Sequence, residues 1–348
     1  MPDPDRFDRQ ARFAPFGEAG QRRLEASRVL LVGCGALGGS LAQTLVRCGV
    51  GALVLIDRDI VEETNLPRQV LFSESHLGRP KADSAAESLA LIGGPTRVEA
   101  HAAHVDAENL EDFAEGCDLV LDGTDNLATR YLINDWAVQT GTPWVYGGVV
   151  GSGGLVLPVI PGRGACLRCV FPDPPPPGAL PTCDTAGVLL PAVAAIAAWQ
   201  AGFALRWLGS DEAARAEIEP RLTELDTWTH TLRQLQAPRA PECPCCARRE
   251  FPFLDSPAQR SAISLCGRNT VQVRPALPTG ASPVARPDLA RIREAVSPSA
   301  RNLRDLGSFL RFEVETYRLT VFADGRALIE GTDDIDRARA LYDRYVGC

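Results

Sequence analysis

The chain has 348 residues, of which 45% are hydrophobic and 23% charged, and its net charge is -8. This composition excludes wholesale disorder, and chains of this length hold about two domains. The acidic balance excludes a basic nucleic-acid footprint, so an anion bound here must meet arginine and lysine concentrated locally.

Residues 1–27 are charged and amphipathic, and a helix is expected ahead of the first strand. The N-terminal MPDPDRFDRQ has no apolar h-region, so the expectation is a cytoplasmic chain without a secretory signal. Arg28–Val32 is a β-branched apolar run leading into Gly33-Cys34-Gly35-Ala36-Leu37-Gly38. A helical stretch, Ser40–Cys48, follows, and then a second strand, Ala52–Ile56, ends at Asp57. Strand, glycine turn, helix, strand and acid together make a βαβ unit. Further strands are expected at Arg97–Ala100, Leu119–Asp122, Trp144–Tyr146 and Gly154–Ile160, with helical patterns between most of them. The fold class is therefore α/β, with a mainly parallel sheet and flanking helices.

Residues 172–181, PDPPPPGALP, can be neither a helix nor a central strand. They read either as a linker or as a crossover loop framing an active site. Leu189–Leu208 is long enough to cross a bilayer, but it holds Pro191, Gln200 and Arg206 and is rich in alanine. A buried core or dimer helix is expected there, not a membrane span. From residue 262 the pattern changes to a small α+β domain. Strands are expected at Asn269–Arg274, Phe309–Val314, Tyr317–Phe322 and Ala327–Glu330, with a hairpin turn at Ala323-Asp324-Gly325-Arg326. Helices are expected at Pro287–Val296, with proline in its first turn, and at Asp334–Val346.

The glycine loop permits close backbone approach, and the next helix N-terminus offers unpaired amides to a phosphate. Asp57 stands where a carboxylate grips ribose hydroxyls. Alone, this pattern does not separate NAD from ATP. Behind it come Asp57-Arg58-Asp59, Asn65-Leu66-Pro67-Arg68-Gln69 and Gly78-Arg79-Pro80-Lys81. A dehydrogenase has no evident use for these polar groups. Attack on an α-phosphate does, because cations and a divalent metal stabilise the charge that gathers on the oxygens. Asp122-Gly123-Thr124-Asp125-Asn126 then follows a strand. Asp125 is the better magnesium ligand; Asp122 shares that role or caps the strand end.

Taken in order, RFDRQ, GCGALG, DRD, NLPRQ, GRPK and DGTDN resemble the ThiF/MoeB/HesA family, prokaryotic relatives of ubiquitin-activating enzymes. The resemblance covers residues 6–250. It implies a Rossmann-like adenylation domain over residues 1–260 in a homodimer. It also implies use of ATP and Mg²⁺ to adenylate the C-terminal glycine of a ubiquitin-fold sulfur carrier, with a cysteine desulfurase or rhodanese as possible sulfur donor. Gly33, Gly35, Gly38, Asp57, Asp59 and Gln69 would lie on the nucleotide. Asn65, Arg68 and Lys81 would engage the phosphates, Asp125 the metal, and Arg9 the site of the partner subunit. Ala36 departs from the glycine that many relatives carry. The residues leave two other readings: an NAD-dependent oxidoreductase, or a silent scaffold binding a ubiquitin-like tail.

Of 11 cysteines, Cys166 with Cys169 and Cys243 with Cys246 form two CxxC pairs, the pattern of a structural Zn²⁺ site. The x₂ spacing selects Cys246 over Cys245. Cys183, in PTCDTAGV, matches a family loop cysteine that in some members bonds covalently to the carrier, and it reads equally as a loop thiol without chemistry. Fused relatives carry a rhodanese domain beyond residue 262, and Cys266-Gly267-Arg268 is too short to identify one. That tail is expected to dock the carrier or a sulfur donor.

Overall fold

In the computed structural model, the described residues are 6–175, 183–255, 262–265, 269–273, 288–307, 309–322 and 325–346. The second half of the proline run, residues 176–181, together with Cys266 and the Asp324 turn position, lies outside them. The chain divides into two compact units, Met1–Asp255 and Ser256–Cys348.

The first unit begins with α1 (Asp8–Ala11), α2 (Gly17–Glu25), β1 (Arg28–Val32), α3 (Ala36–Cys48) and β2 (Ala52–Ile56). It continues through α4 (Lys81–Ala90), β3 (Arg97–His101), α5 (Leu110–Ala114), β4 (Leu119–Asp122) and α6 (Leu127–Thr140). Next come β5 (Trp144–Val150), β6 (Gly153–Val159), α7 (Leu167–Val170), α8 (Cys183–Ala186) and α9 (Leu190–Gly209). The unit ends with α10 (Glu212–Ala216), β7 (Arg221–Asp226), β8 (Thr231–Gln236) and α11 (Pro252–Asp255).

The eight strands form one sheet in the order β3-β2-β1-β4-β5-β6-β7-β8. The first five pair in parallel, and β6, β7 and β8 add antiparallel. The central strands bury both faces, and their two-residue period splits them between two cores. Val29, Leu31, Leu53, Leu55, Leu119 and Leu121 pack into one layer with α3 and α9. Leu30, Val32, Val54, Ile56 and Val120 face the other, which holds α5, α6 and the cysteine-bearing loops. Continuous apolar runs are what a strand buried on both faces requires.

The helix expected from Ser40 begins at Ala36, because Gly38 and Gly39 lie inside it. The apolar segment is α9, with Ala192, Val193, Ile196, Ala197, Ala201 and Ala204 buried. Among the described residues no helix is long and apolar enough to cross a membrane.

The second unit holds β9 (Ala262–Leu265), β10 (Thr270–Val273), α12 (Leu289–Val296), β11 (Arg301–Asp305), β12 (Phe309–Val314), β13 (Tyr317–Phe322), β14 (Ala327–Glu330) and α13 (Ile335–Tyr345). Its six strands are antiparallel, in the order β11-β12-β13-β14-β10-β9. One face packs Leu310, Phe312, Val314, Leu319 and Val321 against Ile292 and Val296 of α12 and Leu341 and Tyr342 of α13. Helix α12 opens on Asp288, whose carboxylate accepts from the amides of Ala290 and Arg291. The aspartate supplies the cap, and Pro287, the expected first residue, lies outside the described residues. Asp334 caps α13 in the same way.

Candidate functional site

Strand order places a switch point between β1 and β4: the chain leaves β1 towards β2 and β3, then returns to β4 on the other side. Open α/β sheets bind ligands outside the carboxyl ends of strands at such a point. There, three glycines pack backbone on backbone. Gly33 takes φ 92°, and a Cβ on it would lie 2.7 Å from the Gly123 carbonyl oxygen. A Cβ on Gly38 would lie 1.8 Å from the Gly33 oxygen, and one on Gly123 would lie 2.5 Å from the same atom. Gly35 precedes α3 in an extended conformation, so the first amides of the helix open onto this edge.

This packing predicts a sharp contrast between neighbouring substitutions. Gly38→Ala forces the loop apart and is expected to cost about 1–3 kcal/mol together with nucleotide binding. At Gly39 an added Cβ meets Leu71 at an ordinary 3.5 Å, so Gly39→Ala is expected to be neutral or to stabilise by about 0.5–1 kcal/mol. Thermal unfolding and nucleotide titration of the two variants check this.

Asp57 follows β2 and is buried. Its Oδ2 accepts from the Cys34 amide at 2.7 Å and its Oδ1 from the Asp59 amide at 2.7 Å. Burial pushes its carboxyl above the ordinary carboxylate range, against the pull of the nearby Lys81 ammonium. Lys81 is the first residue of α4, and its side chain is only 4% exposed. Its Nζ lies 3.3 Å from Asp59 Oδ2, and its backbone amide donates to the Asp59 carbonyl at 2.9 Å. The GRPK and DRD segments are thus one assembly.

Asn65 is buried in a short 3-10 turn, where its Oδ1 accepts from the Glu62 amide at 3.0 Å. The half-buried Arg68 donates to the Thr64 carbonyl. Gln69 is buried against the glycine loop, its Nε2 3.9 Å from where a Gly35 Cβ would stand. Its Oε1 has no hydrogen-bond partner. A buried unpaired acceptor costs about 1–3 kcal/mol, and a bound ligand or water would remove that cost.

The DGTDN segment divides the labour between its acids. Asp122, at the end of β4, is fully buried. Its Oδ1 accepts from the Thr124 amide at 2.8 Å and hydroxyl at 2.7 Å. Its Oδ2 accepts from Arg130 Nε at 2.8 Å and the Gly147 amide at 3.3 Å. Of the two expected roles Asp122 takes the structural one, since its oxygens are spent on protein donors. Asp125 is exposed in the loop, two residues from Gly123. A nucleotide with its divalent cation fits this edge: a glycine-rich loop, an unpaired buried acceptor, Lys81 and Arg68, and one exposed carboxylate.

Of the two remaining expected residues, Arg9 lies away from this edge and Cys183 lies on it. Arg9 is exposed on α1. Its neighbours Phe7 and Gln10 pack on Gly49 and bond the Cys48 carbonyl, at the far end of the 13-residue α3, about 20 Å from the glycine loop. Cys183 begins the four-residue α8, and its Sγ donates to the Val149 carbonyl at 3.3 Å. That carbonyl is near the carboxyl end of β5, on the same sheet edge as the glycine loop.

In the second layer, Cys166, Cys169, Cys243 and Cys246 bring four sulfurs within 4.8 Å of one another. The Cys166–Cys169, Cys166–Cys243 and Cys169–Cys246 separations are 3.8, 3.6 and 3.4 Å. Metal–sulfur bonds of about 2.3 Å would give a tetrahedron with edges of about 3.8 Å, so the four thiols fit one tetrahedral ion. Cys245 is fully buried beside Cys166 but is not one of the four, and its sulfur accepts from Asn134 Nδ2 at 3.3 Å. Asn134 Oδ1 in turn accepts from the Leu167 amide at 2.8 Å, so one α6 side chain holds both knuckles. Arg130 and Asn134 have no role expected from sequence, and Gly123 enters there only as part of DGTDN.

Residues 7–245 match the ThiF family. Sulfur carrier protein ThiS adenylyltransferase of Bacillus subtilis is 38% identical over 346 residues, 98% of this chain and 99% of that protein. Sulfur carrier protein adenylyltransferase of Thermus thermophilus is 38% identical over 274 residues, 76% of this chain and 96% of that one. Among solved structures, E. coli MccB with ATP superposes with a TM-score of 0.60 at 22% identity, over 70% of this chain and 75% of that chain, a likeness of fold. On the extent of these matches, the chain belongs to the ThiF family.

Proposed function

We propose that this protein uses ATP to adenylate the C-terminal carboxylate of a ubiquitin-fold sulfur carrier of the ThiS type. The observation that carries this reading is the 38% identity to a ThiS adenylyltransferase over 98% of the chain. The buried Lys81–Asp59 pair beside the glycine loop agrees with it. A carboxylate oxygen of the carrier attacks the α-phosphorus. The bond from that phosphorus to the bridging oxygen breaks, pyrophosphate leaves with the electron pair, and an acyl-adenylate remains.

Gly33, Gly35, Gly38, Asp57, Asp59 and Gln69 hold the nucleotide. Lys81, Arg68 and Asn65 bind the phosphates and stabilise charge that grows as the bridging bond lengthens. Asp125 would hold Mg²⁺, which when bound neutralises phosphate oxygens. Arg9 lies too far from the loop of its own chain and would complete the site of a second copy, which makes the working form a homodimer. Cys183 lies on the same edge as the candidate thiol for a covalent bond to the carrier. The four-cysteine cluster takes Zn²⁺ and holds α7 and the loop before α11 to α6. A cytoplasmic setting keeps these thiols reduced, and a cysteine desulfurase or rhodanese would supply sulfur to the activated carrier.

Exchange of labelled pyrophosphate into ATP tests this, with Gly-Gly-ended carriers added one at a time. Exchange is expected only with Mg²⁺ and a matching carrier, and deleting the carrier's last glycine is expected to abolish it. No exchange with any carrier, or binding of NADH in place of ATP, would overturn the reading.

A further inference from the structure

Arg130 is a cation in the first turn of α6 with almost no contact with water. Both facts are unfavourable: burial strips its hydration, and a helix N-terminus repels positive charge. Such a group persists only where its contacts repay it. Its Nε bonds Asp122, and its Nη2 donates to the carbonyls of Thr124 and, at 2.8 Å, Gly147. The guanidinium also lies over the Tyr146 ring, 5.1 Å from its centroid. One planar fork therefore ties the end of β4, the loop after it and β5 together. The Thr124 carbonyl it grips belongs to the peptide bond that begins Asp125, and Asp125 lies near enough to feel its charge.

We infer that Arg130 is a positioning residue for the divalent cation: it fixes the 122–126 loop so that Asp125 stands ready at the sheet edge. The inference rests on the proposed function for the role of Asp125. Groups that orient a metal ligand typically cost about 10- to 100-fold in metal affinity when removed. Lysine keeps the charge but cannot form the fork. Thr124→Val removes only the hydroxyl that braces Asp122 from the other side.

The test uses full-length protein with a non-hydrolysable ATP analogue and Mn²⁺ followed by electron paramagnetic resonance. Arg130→Lys is expected to weaken Mn²⁺ binding about 10-fold or more, and Thr124→Val to weaken it by less. The carrier KM is expected to stay at its wild-type value, and excess Mg²⁺ to restore part of kcat. If Arg130→Lys does not fold, Thr124→Val carries the test. Unchanged Mn²⁺ affinity with only a lowered unfolding temperature would overturn the inference. Weakened Mn²⁺ binding in a protein that never exchanges pyrophosphate would uphold it and sink the adenylation reading instead.

Discussion

Replacing Lys81 by alanine is expected to lower carrier-dependent pyrophosphate exchange about 100- to 1000-fold, the usual loss when one fixed group facing transition-state charge is removed. The expectation follows from where the ammonium sits. Its side chain is almost wholly withdrawn from water yet faces Asp59 at 3.3 Å and lies close to Asp57. A cation held in a dry site acts on phosphate oxygens far more strongly than a solvated one, and it needs no reorganisation when the charge arrives. Removing it has a second consequence. Asp57 and Asp59 lose their shared counter-charge, and breaking a buried pair from one side costs more than the pair is worth. Lys81→Ala therefore loses thermal stability as well as activity. Lys81→Met separates the two effects, because it keeps the aliphatic stem and drops only the charge. Exchange is expected to fall as far as in the alanine variant while the packing part of the stability returns. If Lys81→Met retains full exchange, the ammonium does not face the reacting phosphate.

The legible and illegible parts of this chain divide along burial. Arg28–Val32, Ala52–Ile56 and Leu119–Asp122 occur with the bounds their apolar runs suggest, since a strand buried on both faces leaves an uninterrupted hydrophobic record. Strand β8 has no such record: all six residues are exposed, and its place comes from the ladder with β7. Edge strand β11 is similar, with only Leu303 half-buried. The start of α3 was obscured by glycines that look unhelical, yet Gly38 is required there because its backbone touches that of Gly33. At the site, residues that directly follow strands β1, β2 and β4 were readable because parallel strands deliver their carboxyl ends to one edge. Arg130 was not readable. An arginine inside a helical pattern suggests a solvated surface, and only the return of α6 over the end of β4 makes it the partner of a buried aspartate.

The largest effect on stability is expected from the four-cysteine cluster. Purified protein should carry about one zinc ion per chain, and chelation or Cys169→Ser should melt the first unit well below the intact protein. Binding at such sites is worth about 10–16 kcal/mol in isolated peptides at neutral pH, which exceeds the net stability of most domains. The position of the cluster explains why its loss would spread. The two knuckles lie 77 residues apart in sequence and converge on α6, whose Asn134 bonds the Leu167 amide on one side and Cys245 on the other. One turn earlier on the same helix, Arg130 holds the loop that carries Asp125. Metal loss should therefore weaken Mn²⁺–nucleotide binding before global unfolding, at temperatures where far-ultraviolet circular dichroism is still native. Cys245→Ala supplies the contrast: it removes a thiol from the same knuckle but no sulfur of the tetrahedron, so zinc content should hold at about one ion per chain. Zinc lost from Cys245→Ala and retained by Cys246→Ala would reverse the ligand assignment, and a native unfolding temperature after complete chelation would deny the cluster a structural role.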